Sequence, residues 1–282
     1  MSTLSFQTAY ELSPGHEIPR LGFGVAFGFG KIEDAAALSV PSTVEALKVG
    51  YRHLDTAQAY RNEADVGVAL RKSGVKREDV FITSKVIWEK YAEIAAAVDV
   101  SLKTIGLDYL DLYLIHSAPP TTEARLQAWK GLLDAKKAGK IRAAGVSNYN
   151  VARLEEIKNA GLELPSVNQV ELHPLCQQRP VVEYCKANNI HIEAYCPIIR
   201  GHMGNPVITS IAKKHARDSA QILLRWSLQT GLIPLVRSSN PARILSNSQL
   251  YDFELDATDM QELNALDQGA AGAISWNPVD KE

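Results

Sequence analysis

Four residues able to move a proton stand at or just beyond the ends of short apolar runs. Asp55 follows His53-Leu54, Tyr60 comes five residues later, Lys85 closes Phe81-Ile82-Thr83-Ser84-Lys85, and His116 closes Leu112-Tyr113-Leu114-Ile115-His116. A phenol has a pKa of roughly 10, so at neutral pH Tyr60 is a proton donor and a poor base. An ammonium beside it would stabilise the phenolate, and a carboxylate would hold that ammonium in place; Lys85 and Asp55 suit those parts. His116 would orient a carbonyl oxygen or help relay its proton. Taken singly, each has a plainer use: a strand-end Asp caps the next helix, a Lys reaches for water, a lone His makes a structural hydrogen bond. Brought to one place, the four make a site that protonates an oxygen as charge develops on it.

The elements around them supply such a place. Short β-type runs, Leu21–Ala26, His53–Thr56, Val80–Val86, Leu110–His116, Ala143–Ser147, Val167–Leu172, His191–Tyr195 and Ile233–Arg237, alternate with segments of helical periodicity. The latter include Asn62–Arg71, Ala92–Ile105, Glu123–Lys137, Val151–Asn159 and Ser219–Leu228, several stopped by a glycine. Strands separated by such helices pair in parallel through right-handed crossovers, and eight units close as a (β/α)8 TIM barrel of the α/β class. Parallel α/β folds keep their chemistry at the carboxyl ends of the strands, where these four residues fall. Phe6–Leu12 and Glu17–Pro19, flanking Ser13-Pro14-Gly15, read as an N-terminal β-hairpin, and Pro206–Ala216 and Asp256–Leu266 as appended helices, the last with Asp256 or Thr258 as its N-cap. Two doubly wound domains are the alternative, but no linker or composition break marks a boundary, so residues 1–282 are read as a single domain.

Composition narrows the partners. With 282 residues, 46% hydrophobic and a formal net charge of −2, the chain can bury a large core and has no basic surface to offer nucleic acid or an anionic membrane. No run approaches the roughly 18 apolar residues of a membrane span, and Met1–Tyr10 lacks a basic stretch followed by an apolar one. Cys176, Cys185 and Cys196 follow no zinc-site spacing and read as reduced thiols. The expectation is a cytoplasmic protein with a small-molecule partner, its oligomeric state left open.

Two longer stretches then resemble a known family. Gly50-Tyr-Arg-His-Leu-Asp-Thr-Ala57, with Glu63 and Gly67 behind it, and Gly139-Lys-Ile-Arg-Ala-Ala-Gly-Val-Ser-Asn-Tyr149 are similar to the first and second signatures of the aldo-keto reductases. The resemblance implies a catalytic tetrad of Asp55, Tyr60, Lys85 and His116, with Tyr60 as general acid in reduction and general base in oxidation. It also implies hydride transfer with a nicotinamide cofactor and no metal. Gly22-Phe23-Gly24-Val25-Ala26-Phe27 is no dinucleotide fingerprint, since Phe27 fills its sixth position; glycines easing tight packing at a barrel strand explain it better. The resemblance instead implies NADPH lying along the barrel mouth, with NADH possible. Ser147, Asn148 and Gln169 would bind the carboxamide and Tyr195 would stack on the ring; without the resemblance Asn148 reads as a helix N-cap and Tyr195 as core.

Leu235-Val-Arg-Ser-Ser-Asn-Pro-Ala-Arg243 resembles the third signature, with Arg237 in place of the usual lysine. A guanidinium clamps phosphate through two donors, so Arg237, Ser238 and Arg243 are assigned to the adenosine phosphate and base, and Asn247 to the adenine. Val25, Ser246 and Cys196-Pro-Ile-Ile-Arg200 depart from the family's pattern. On the substrate side, Ser117-Ala-Pro-Pro-Thr121 is a short connection that leaves the pocket open, and Trp88 and Trp276 are the aromatic wall candidates. Aldehydes, ketones or dicarbonyl compounds that tolerate bulk are the expected substrates. A catalytically silent NADP-binding sensor subunit of the same fold is the alternative. A metal-dependent hydrolase would draw on His53, Asp55, His116, His173 and His191, but Lys85 would put a cation where a metal belongs.

Overall fold

A computed structural model describes residues 4–27, 32–86, 90 and 93–280. The chain opens with an antiparallel hairpin, β1 (Ala9–Ser13) and β2 (His16–Pro19), turning through Gly15 at φ 79°. Next come β3 (Gly22–Gly24), α1 (Ile32–Val49), β4 (His53–Asp55), α2 (Glu63–Ser73), β5 (Phe81–Val86), α3 (Ile94–Ile105), β6 (Leu110–Ile115) and α4 (Thr122–Lys137). They are followed by β7 (Ile141–Ser147), α5 (Val151–Asn159), β8 (Val167–Glu171), α6 (Arg179–Ala187), β9 (His191–Tyr195), α7 (Pro206–His215), α8 (Ser219–Gln229), β10 (Ile233–Val236), α9 (Pro241–Ser246) and α10 (Ala257–Asn264). Strands β3 to β10 pair in parallel in chain order, and β10 closes the ring on β3 through Leu235↔Gly22 and Val236↔Phe23.

Strand alternation sorts the side chains. Leu54, Ile82, Val86, Tyr113, Ile115, Ala144, Val146, Val170, Ile192 and Ala194 point outward into the main core shared with the helices. Their neighbours point inward and build the barrel interior in layers. The lowest is apolar: Ile18 of the hairpin packs with Phe81, Leu112, Ala143, Val167 and Ile233 and plugs the end where the strands begin. Above it the inward residues turn polar, through His53 and Thr83 to Asp55, Lys85, Ser147 and Gln169, all buried. Gly22 is required inside this ring, since a Cβ there would lie 2.4 Å from Leu235 Cδ2 and 2.9 Å from His53 Nδ1. Gly22 thus has the packing role expected of the glycines in the first barrel strand, whereas a Cβ on Gly24 would meet nothing nearer than 3.9 Å.

Helix termini follow their local chemistry. Thr121, Asn150 and Asp256 accept backbone N–H bonds as the N-caps of α4, α5 and α10. The cap of α5 is therefore Asn150; Asn148, the sequence candidate, stands two residues earlier at φ 61° with its side chain turned elsewhere. Trp129 and Trp226 are buried under the helices with their indole N–H groups satisfied by Glu163 O and Asn264 Oδ1, both at 2.8 Å. Among the described residues no helix is long and apolar enough to cross a membrane.

Candidate active site

Three of the four acid–base candidates arrive by strand geometry alone. Asp55 ends β4, Lys85 is the fifth residue of β5 and His116 follows β6 directly, so all three lie at the carboxyl mouth. Tyr60 is delivered by a single 3-10 turn, Gln58–Tyr60, that stops at Arg61 in a left-handed conformation, φ 54°. Gln58 anchors that turn by donating to Ala97 O at 2.8 Å and Ser101 Oγ at 2.9 Å on α3. Behind it, Asn62 accepts from Thr56 Oγ1 at 3.0 Å and Glu63 from Ser84 Oγ at 2.6 Å, tying the start of α2 to the strands.

Lys85 organises the group. Fully buried, its Nζ donates to both Asp55 oxygens at 2.7 and 2.8 Å, to Thr56 O at 2.9 Å and to the Tyr60 hydroxyl at 3.4 Å. The ammonium also sits 4.9 Å from the centre of the Tyr60 ring. Burial pulls the Lys85 pKa down, but Asp55 and Tyr60 more than offset it and the net shift is upward, so the group stays charged. Burial raises the Tyr60 phenol, with Lys85 pulling against it, so the hydroxyl keeps its proton at neutral pH. His116 meets the Tyr60 ring edge-on at 5.6 Å, and burial, helped by the Lys85 charge, pushes it down to about 3. It is a neutral imidazole at any ordinary pH, and its Nδ1 is buried with no hydrogen-bond partner among the described residues.

Next to the tetrad lies an amide-rich wall. Ser147 Oγ donates to Gln169 O at 2.8 Å, and Asn148 Nδ2 donates to Ser147 Oγ at 3.0 Å and His116 O at 3.1 Å. Tyr195 OH donates to Asn148 Oδ1 at 2.9 Å. Gln169 Nε2 donates to Asp55 Oδ2 at 2.9 Å, which ties this wall to the tetrad. Amide and hydroxyl groups beside a half-buried aromatic face fit the carboxamide and ring of a nicotinamide.

Across the mouth, Arg237 follows β10 and reaches the Ala26 carbonyl after β3, with its guanidinium 5.5 Å from the Phe27 ring centre. Ser238 accepts from Asn240 N at 3.2 Å, and Asn240 caps α9, so Ser238, exposed Arg243 and buried Asn247 are grouped around that short helix. This polar, cationic corner fits the phosphate end of the same cofactor. Trp88 lies outside the described residues. Trp276 is 51% exposed in the C-terminal tail, next to the pinned Ser275.

Two buried acids escaped the sequence reading. Glu171 ends β8 and takes Ile274 N at 2.6 Å, Ser275 N at 3.1 Å and His173 Nε2 at 3.1 Å. Glu193 lies in mid-β9 and takes Gln169 Nε2 at 2.6 Å. The available signal was a charged residue inside a strand whose neighbours are apolar, since parallel strands buried on both faces otherwise read as continuous apolar runs. His173, bound to Glu171, and His191, stacked on Tyr10 at 4.7 Å, are engaged away from Asp55.

A profile of the Aldo/keto reductase family matches residues 20–268. The chain is 42% identical over 268 residues to the glyoxal reductase of Bacillus subtilis (strain 168), covering 94% of each chain. It is 38% identical over 266 residues to the methylglyoxal reductase DkgA of Escherichia coli (strain K12), covering 93% of this chain and 94% of that one. Among solved structures, the Bombyx mori aldo-keto reductase AKR2E4 in complex with NADP superposes with a TM-score of 0.85 at 32% identity, covering 94% of both chains.

Proposed function

The chain belongs to the Aldo/keto reductase family, and we propose on that premise that it reduces aldehydes, ketones and above all α-dicarbonyl compounds to alcohols with NADPH. One observation carries the chemistry: a buried ammonium, Lys85, held by Asp55 and touching the Tyr60 hydroxyl at the mouth of the barrel. The preference for dicarbonyls is supported by relatives named for glyoxal and methylglyoxal. Breadth is supported by the short connection 117–121 between β6 and α4.

When bound, the dihydronicotinamide supplies the hydride. This chain's residues handle the proton and the geometry. Neutral His116 offers a hydrogen bond to the carbonyl oxygen and orients it without adding a second cation beside Lys85. As negative charge grows on that oxygen, Tyr60 transfers its hydroxyl proton to it. The phenolate left behind faces Lys85 at 3.4 Å, and Asp55 keeps the ammonium aimed. In the reverse direction the phenolate takes the alcohol proton. Ser147, Asn148 and Gln169 would hold the carboxamide, Tyr195 would lie against the ring, and Arg237, Ser238, Arg243 and Asn247 would hold the adenosine phosphate and base. Trp276 walls the substrate side, and the arginine pair favours NADPH over NADH.

The test follows nicotinamide absorbance with NADPH and with NADH over aldehydes, ketones and diketones, for the native chain and Tyr60→Phe. The expected outcome is turnover with NADPH that drops about 10²–10⁴-fold in the variant, the usual worth of a general acid, while NADPH binding persists. A native chain that binds NADPH and turns over no carbonyl would move it to the sensor-subunit reading. Activity confined to one small polar aldehyde would overturn the expected breadth.

A further inference from the structure

Below the tetrad, two buried carboxylates face the same amide. Gln169 Nε2 donates to Asp55 Oδ2 at 2.9 Å and to Glu193 Oε2 at 2.6 Å. Glu193 is fully buried two positions before Tyr195, so strand alternation turns both side chains into the barrel. Ionised carboxylates accept and do not donate, so the nitrogen of the Gln169 amide, and not its oxygen, is the end that lies between them. With both N–H bonds committed, Oε1 is the amide atom left to meet a ligand.

The far side of Glu193 is held as well. Its Oε1 makes no hydrogen bond among the described residues but lies 3.3 Å from His53 Nε2. His53 Nδ1 lies 3.2 Å from the Pro19 carbonyl, which only accepts, so that nitrogen carries a hydrogen. The same Nε2 lies 3.3 Å from the Thr83 hydroxyl, so the imidazole packs between Thr83 and Glu193 and fixes the far side of the carboxylate.

Resting on the reductase reading above, we propose that Glu193 is a positioning residue for the cofactor. Together with Asp55 it clamps the Gln169 amide so that only a hydrogen-bond acceptor faces the nicotinamide carboxamide. The clamp matches the NH2 of an amide and repels the carboxylate of a nicotinic acid dinucleotide. Removing Glu193 leaves one Gln169 N–H buried without an acceptor, and the amide then rotates about its terminal bond in search of a partner. Glu193→Gln keeps an acceptor oxygen toward Gln169 and turns its own NH2 toward His53 Nε2, which accepts when Nδ1 holds the hydrogen.

Fluorescence titration separates these states. The ligands are NADP+, its nicotinic acid analogue, and adenosine 2′,5′-bisphosphate, which lacks the nicotinamide half; the proteins are the native chain, Glu193→Leu, Glu193→Asn and Glu193→Gln. Leu and Asn are expected to weaken NADP+ binding about tenfold, to narrow the preference over the acid analogue, and to leave the bisphosphate unchanged. Gln is expected to bind as the native chain does. Asn, one methylene shorter, withdraws the acceptor without an apolar replacement and carries the same expectation if Leu does not fold. Native-like NADP+ affinity and discrimination in the folded Leu or Asn variant would overturn the clamp while leaving the reductase reading standing. A native chain with no affinity for NADP+ would overturn both.

Discussion

An ammonium cut off from water survives only if a charge faces it and its three hydrogens find acceptors, and Lys85 meets both conditions through Asp55, Thr56 O and Tyr60. The cost of breaking that arrangement is therefore asymmetric. Lys85→Met leaves the Asp55 carboxylate buried with Gln169 as its remaining side-chain partner, and should destabilise the fold by about 3–5 kcal/mol, the usual loss on removing one member of a buried ion pair. Adding Asp55→Asn should recover part of it; urea melts of the single and double variants measure both. His116 gives the pH counterpart. Its folded pKa of about 3 lies below the ordinary histidine value of 6.5, so between the two the unfolded chain binds the extra proton, and stability from this group rises with pH across that window. His116→Asn should flatten that part of the stability curve. Catalysis in the native protein should show no inflection near the ordinary histidine pKa, since the folded imidazole is already neutral there.

At the level of elements, the strands were legible because their signal is strong: runs such as Leu110–Ile115 and His191–Tyr195 carry apolar residues on the outward face of every barrel strand. Helices were read less evenly. α1 carries Pro41 in its interior, α6 is nine residues with Pro180 in its first turn, and α9 is only six residues long, so each lacks the periodic stretch that marks a helix. The candidate site was legible where side chains sit at strand ends. Glu193 and Glu171 were not, since their partners Gln169, Ile274 and Ser275 lie 24 and more than 100 residues away in the chain. One element contact makes a sharp prediction. Gly67 lets α2 approach the end of α3 so closely that a Cβ would lie 1.9 Å from Ile105 O, a backbone atom that cannot step aside. Gly67→Ala should cost about 1–3 kcal/mol or more through overpacking, although alanine favours the isolated helix. A lower urea midpoint with unchanged helix content in circular dichroism is the expected result.

For the molecule as a whole, the C-terminal tail is strapped back onto the carboxyl end of β8. Glu171, at the end of β8, holds Ile274 N and Ser275 N and takes the Ser275 hydroxyl at 2.5 Å. Further along, Gln178 Nε2 donates to Asn277 Oδ1 at 3.0 Å and Arg153 to Val279 O at 3.1 Å. Burial pushes the Glu171 carboxyl up, but the bonds from His173, Ser275 and Ile274 more than offset it and hold it below its ordinary value. A carboxylate with a depressed folded pKa contributes stability that is present above its unfolded pKa and lost as pH falls through the folded one. Acidifying from neutrality to roughly pH 5 stays above the ordinary glutamate value of about 4.3 and should leave the strap fastened. Glu171→Leu should release it at any pH, because both oxygens that accept from Ile274 N and Ser275 are then gone. The expected consequence is faster proteolysis after residue 272 and a raised KM for bulky carbonyl substrates, with a smaller change in kcat, since Glu171 makes no contact with Tyr60 or Lys85 among the bonds that fix the tetrad. A variant with native proteolysis and native KM would mean that Arg153 and Gln178 hold the tail without Glu171.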